Sequence, residues 1–211
     1  MQKKKVVAVI PARMAASRFP GKPLKPILGL PMVEHVRRRA LLCPEVDEVY
    51  VATCDQEIVE TVSRFGGKAI MTSDRHVRCT DRVEEAMQKI SADIVAILQG
   101  DEPLFDAGVL QKLLAPMLAD ETIPCANLLS VIGDPKDFSD VDIIKTVLDQ
   151  HHRVLYYSRA AIPYFRVQHP CPVYRQTGLS AFTKSFLHEF ARLAPMPLEI
   201  AESIDFLRIR E

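Results

Sequence analysis

Arg13, Arg18 and Lys22 fall within one stretch, IPARMAASRFPGKPL (10–24), punctuated by Pro11, Pro20, Gly21 and Pro23. Two guanidiniums and an ammonium on one loop can neutralise several phosphate oxygens, and the backbone N–H groups of residues 12–17 can add donors. The G-x-x-x-x-G-K-[ST] spacing of a Walker A loop is absent, and spacing alone leaves a solvated basic loop as the alternative. A second stretch, QGDEP (99–103), sets Asp101 and Glu102 just beyond an apolar run. Magnesium takes one or two carboxylates together with phosphate oxygens and water, so an aspartate facing a basic loop suits a magnesium–triphosphate. Gly-Asp and Glu-Pro are also common turn pairs. Each stretch strengthens the reading of the other.

The elements that must position these residues follow from periodicity. Val6–Ile10 is a short unbroken apolar run, as in a strand buried on both faces of a parallel sheet. EVYVAT (48–53), KAIMT (68–72) and DIVAILQ (93–99) read as three more strands. Between them, helical spacing covers 32–42, the stretch from Asp55 to the stop signal Gly66-Gly67, and a segment that Thr80 is placed to cap. Asp106 is placed to cap a helix with Leu110, Leu113, Leu114 and Met117 inward. Alternation of this kind predicts a mostly parallel sheet with helices on both faces. Beyond residue 122, CANLLSVI, IIKTVLD, RVLYYS and YRQTGLSAF predict a mixed or antiparallel extension, followed by helices near 184–193 and 198–210. In an open parallel sheet, ligands bind beyond the carboxyl ends of the strands, where both chemical stretches lie.

The chain has 211 residues, 27 Lys+Arg against 27 Asp+Glu, so no bulk field favours DNA or an anionic membrane, and any anion site is local. Five cysteines without a C-x-x-C pair point away from zinc and a disulfide framework, and toward a reducing compartment. The apolar run near the N-terminus is too short for a signal peptide or a span, and a cytoplasmic location is expected. No nucleophile elbow and no dinucleotide fingerprint is present. His76 either faces the site or, as the more common case, is a surface-loop histidine; His151-His152 reads as a solvated turn, and Cys79 as a small inert residue. Arg159 suits either a carboxylate ligand or a surface pair. YFRVQHPCPVYRQ (164–176) reads as an exposed excursion or dimer arm.

VIPARMAASRFPGKPL, MTSDRHVRCTDRVEEA, AILQGDEPL, IIKTVLD, LYYSRAAIPY and PLEIAESIDFLR together resemble, in order and spacing, the 3-deoxy-manno-octulosonate cytidylyltransferase (CMP-Kdo synthetase) family, over about Lys5 to Glu211. The resemblance implies an α/β Rossmann-like nucleotidyltransferase fold across residues 1–211 as one domain, with 150–183 as a dimerisation or sugar-binding excursion. It implies transfer of CMP from CTP to Kdo or a related sugar acid for lipopolysaccharide synthesis, with Mg²⁺ as cofactor, in a homodimer. Ala12, Arg13, Ser17, Arg18, Lys22, Thr80 and Arg82 match nucleotide-binding positions, and Arg13, Lys22 and Asp101 the catalytic ones. Asp101 matches a magnesium ligand. Gln99, Arg159, Gln176 and Glu199 fall in segments that contact the sugar acid. The sequence departs from the family pattern at Arg78 and Cys79, where Ser and Gly are usual, and at Gln176 and Ser180, where His and Tyr are usual. A C-terminal part with a second metal-binding aspartate is expected to be missing. The departures keep two alternatives: a nucleotidyltransferase for another sugar acid or polyol phosphate, and an inactive nucleotide-binding homologue.

Overall fold

Val6 to Ile10 are 0–1% exposed, and this run forms the centre of the sheet in the computed structural model, which describes residues 3–15, 19–167 and 171–211. In chain order the strands and α-helices are β1 (Val6–Ala12), β2 (Pro26–Ile27), β3 (Leu30–Pro31), α1 (Met32–Ala40), β4 (Glu48–Thr53), α2 (Gln56–Arg64), β5 (Lys68–Met71), α3 (Cys79–Gln88), β6 (Ile94–Ile97) and α4 (Ala107–Ala119). There follow β7 (Cys125–Val131), α5 (Pro135–Ser139), β8 (Lys145–Leu148), β9 (Val154–Ser158), β10 (Tyr174–Thr183), α6 (Lys184–Arg192) and α7 (Pro197–Glu202). Tight 3-10 turns occupy Lys22–Leu24 and Asp205–Ile209. The chain divides into two compact units, 1–126 with 178–191 and 127–177 with 192–211.

In the first unit β1 is parallel to β4 on one side and to β6 on the other, and β4 is parallel to β5. The chain leaves β1 toward β4 and β5, then returns across the sheet to β6. Right-handed crossovers in opposite directions set α1 and α2 on one face and α3 on the other. The carboxyl ends of β1 and β6 therefore diverge at a switch point. The residues of β10 from Ser180 to Thr183 run antiparallel to β6, the mixed extension expected from the sequence. Behind them Phe182 packs on Phe190 of α6, with ring centroids 5.6 Å apart. The Asp106 side chain accepts the Gly108 N–H, as its capping position predicts. Thr80 does not cap: α3 begins at Cys79, two residues earlier than a Thr80 cap requires, and Thr80 lies buried in its first turn on the face of Val83 and Met87.

Three adjacent strands are clamped at their amino ends by Glu48, which pairs with Lys5 at 2.6 Å and with Lys68. The Lys5 ammonium, then that of Lys68, holds the Glu48 carboxyl down at about 2. A depressed carboxylate adds stability above its unfolded value and loses it as pH falls toward the folded one. Glu48→Gln is accordingly expected to flatten the acid limb of the stability curve between about pH 5 and 2, read by denaturant midpoints across that range.

In the second unit β8 and β9 form an antiparallel hairpin, and Tyr174 and Arg175 of β10 pair with Thr146 and Lys145 of β8. The turn before Arg153 holds His151 and His152 exposed, as expected. Lys145 is wholly buried and donates to the Asp140 and Ile143 carbonyls, both at 2.6 Å; burial pulls its pKa down. Glu199 of α7 is also wholly buried and takes a two-pronged bond from Arg208, at 2.6 and 2.7 Å. Tyr164 and Val167 of the predicted excursion are 87% and 73% exposed.

Candidate active site

The described ends of the loop after β1 are tied down by backbone bonds. Asp55, just past β4, accepts the Met14 N–H at 2.8 Å, and the Gly21 N–H closes back onto the Met14 carbonyl at 2.9 Å. Gly21 stands at φ +73°, a left-handed conformation that a Cβ would strain. It starts the 3-10 turn that presents Lys22, with Pro23 stiffening the first turn. Across the switch point, the loop after β6 presents Gln99, Gly100 and Asp101. Lys22 Nζ donates to Asp101 Oδ2 at 2.6 Å. The two sequence stretches are thus in contact, although 79 residues separate the pair.

A cavity of about 290 Å³ opens between them, within the first unit. Ala12, Arg13, Lys22, Arg82, Gln99 and Asp101 line it, six of the residues singled out from the sequence. Thr80 is buried in the first turn of α3 and is not among the described lining residues. Ser17 and Arg18 lie outside the described residues. Arg159, Gln176 and Glu199 belong to the second unit. There Arg159 donates from Nε to the Glu202 carbonyl at 2.7 Å and from Nη1 to the Val141 carbonyl at 2.9 Å. Both Glu199 oxygens are engaged by Arg208.

The lining is strongly cationic. Arg13, Lys22, Arg78 and Arg82 face the cavity with Asp101 as the carboxylate among its described lining residues. Arg82 is 3% exposed, and its Nη1 donates to Thr72 Oγ1 at 2.6 Å. Among the described residues its buried Nη2 has no hydrogen-bond partner. A buried guanidinium donor left open in a cationic cavity calls for an anionic oxygen from a ligand. Among the described residues no three His, Cys, Asp or Glu side chains converge into a metal cage. That donor set fits a hard cation that takes one carboxylate and completes its shell with phosphate oxygens and water.

Of the two readings left open for His76, the structure takes the site-facing one: it lines the cavity and pairs through Nε2 with Glu85. The reason is local: Glu85 lies nine residues on, in α3, and draws the imidazole inward. Cys79 also lines the cavity, with Sγ 3.6 Å from Gln99 Nε2. Sequence reasoning missed Gly178 as a site residue. A Cβ there would collide with Gln99 Cγ and lie 2.5 Å from Glu102 Oε1. Gly178→Ala is expected to displace Gln99, lower kcat/KM by roughly tenfold or more, and cost about 1–3 kcal/mol of stability, checked by steady-state kinetics beside thermal melts.

Comparison with known proteins agrees with this geometry. A family model described as cytidylyltransferase matches residues 7–210. The 3-deoxy-manno-octulosonate cytidylyltransferase of Geobacter metallireducens is 41% identical, over 98% of this chain and 86% of that protein. The 8-amino-3,8-dideoxy-manno-octulosonate cytidylyltransferase of Shewanella frigidimarina is 40% identical, with the same shares covered. A solved structure of CMP:2-keto-3-deoxy-manno-octonic acid synthetase complexed with CTP superposes with a TM-score of 0.94 at 40% identity, covering 98% of this chain and 85% of that one. The chain belongs to the 3-deoxy-manno-octulosonate cytidylyltransferase family of nucleotidyltransferases.

Proposed function

We propose that this chain transfers CMP from CTP to the anomeric hydroxyl of 3-deoxy-manno-octulosonate, releasing pyrophosphate. One observation carries the reading: Arg13, Lys22 and Arg82 converge with Asp101 on a single cavity at the switch point between β1 and β6. A cationic wall with one carboxylate suits a triphosphate accompanied by a divalent cation. Asp101 would hold Mg²⁺, which when bound neutralises phosphate charge during transfer. Arg13 and Lys22 offset the charge that builds on the α-phosphate and the leaving pyrophosphate. Arg82, fixed by Thr72, aims its open guanidinium edge at a phosphate oxygen. Ala12, Ser17, Arg18 and Thr80 complete the nucleotide loop and the wall behind it.

The sugar hydroxyl attacks the α-phosphorus in line. A new P–O bond forms as the α–β anhydride bond breaks, and the hydroxyl proton passes to solvent. No covalent enzyme intermediate is needed, so catalysis is positioning plus charge neutralisation. Gln99 orients the sugar acid from the cavity side. Arg159 and Gln176 are assigned to the sugar acid by the family pattern, the guanidinium suiting a carboxylate. Glu199 serves the same segment through its buried pair with Arg208. Exposed Leu155, Tyr164 and Val167 support a homodimer assembled through 150–183. The reaction belongs in the cytoplasm, beside the CTP pool. Calorimetric titration tests the nucleotide half: CTP with Mg²⁺ is expected to bind and UTP to bind more weakly, and equal or absent binding contradicts it.

A second substrate is favoured by two residues. Gln176 and Ser180 stand where His and Tyr are usual in the family, and the Shewanella relative carries the 8-amino acid in its name. Competition between 3-deoxy-manno-octulosonate and its 8-amino-8-deoxy counterpart, read as kcat/KM, decides between them.

A further inference from the structure

Glu85 touches no residue assigned above to the reacting groups, yet it is bonded to His76, which lines the cavity. It lies on α3, one turn beyond Arg82. Its Oε2 accepts the Ser73 N–H at 2.9 Å and also pairs with His76 Nε2. Partial burial raises the Glu85 carboxyl, but the bonds from Ser73 and His76 outweigh it, and the group is held below its ordinary value. Arg82 grips the same segment from Nη1, at Thr72 Oγ1 and at the Ser73 carbonyl, 3.2 Å away. Residues three apart share one helix face, so α3 holds residues 72–76 at two points. The segment then runs into His76, Val77 and Arg78, which line the cavity. Asp74, Arg75 and Val77 are exposed. With little apolar burial, polar anchors set the conformation of such a segment.

We propose that Glu85 is a positioning residue that fixes the 73–78 wall through Ser73 and His76, and thereby sets nucleotide affinity rather than the chemical step. This rests on the cavity being the nucleotide site. Two readouts separate the wall from the ligand. In the free protein, exchange of the Ser73 amide hydrogen is expected to speed up at least about tenfold in Glu85→Ala. It stays near wild type in Glu85→Gln, whose carboxamide oxygen accepts both bonds. In calorimetry with CTP and Mg²⁺, Glu85→Ala and His76→Ala are each expected to bind roughly tenfold more weakly, with no further loss in the double variant. The kcat of Glu85→Ala at saturating CTP stays within about twofold of wild type. Unchanged Ser73 exchange overturns the proposal. Faster exchange with unchanged CTP affinity overturns its nucleotide half and leaves a structural role. Absence of CTP binding by the wild-type protein, with Ser73 exchange responding as stated, upholds the wall and strikes the assignment of the cavity.

Discussion

Asp101→Ala is expected to lower kcat by about 10²–10³-fold while leaving the fold intact. The carboxylate is the acidic group among the described lining residues, and it stands 2.6 Å from Lys22 Nζ. Its removal takes away the proposed ligand for Mg²⁺ and frees Lys22 from its partner at once. Stability responds differently. The side chains of the pair are half and one-third exposed, and an exposed ion pair contributes only about 0–1 kcal/mol. Stopped turnover with an unshifted thermal midpoint therefore marks a residue whose work is chemical. Asp101→Asn keeps the shape and loses the charge, so its kcat should fall nearly as far. Kinetics at saturating CTP beside thermal melts of both variants check this. A variant that retains more than about a tenth of wild-type kcat contradicts the role.

Arg208→Ala should produce the reverse pattern, a large loss of stability. Glu199 is wholly buried, and the Arg208 side chain is 4% exposed. Removing the guanidinium strands a carboxylate in a dry interior, which costs about 3–5 kcal/mol. For a chain of this size that lowers the thermal midpoint by roughly 6–20 °C. The loss belongs to the orphaned charge rather than to the pair as such. A double replacement, Glu199→Leu with Arg208→Met, is expected to recover most of it. Thermal melts of the single and double variants decide the matter. A double variant as unstable as Arg208→Ala alone would place the cost in packing.

The pair shows where sequence reading stops. PLEIAESIDFLR marks a family segment, but nothing in that string says that Arg208 returns to cover Glu199. The parallel half of the fold was legible because period and apolarity agree there. Val6–Ile10 is an unbroken apolar run that suits a strand buried on both faces of a parallel sheet, and EVYVAT matches β4 residue for residue. Asp106 capped as its type and place required. Thr80 did not, because burial of its helix face outranked a local cap. The two chemical stretches were legible as strand-end loops, and the switch-point rule brought them together. His76 was left between site and surface because a lone histidine in a polar loop carries no sign of the glutamate that turns it inward. Gly178 was unreadable for a related reason: its meaning is the Cβ it lacks against Gln99 and Glu102.

Pyrophosphate release by the purified chain with Mg²⁺ and 3-deoxy-manno-octulosonate, with CTP and UTP in parallel, bears most directly on the proposed reaction. Release with CTP that requires the sugar acid, and far slower release with UTP, is the expected result. Equal release with both nucleotides, or release that does not depend on the sugar acid, would contradict the cytidylyl transfer assigned to the cavity between β1 and β6.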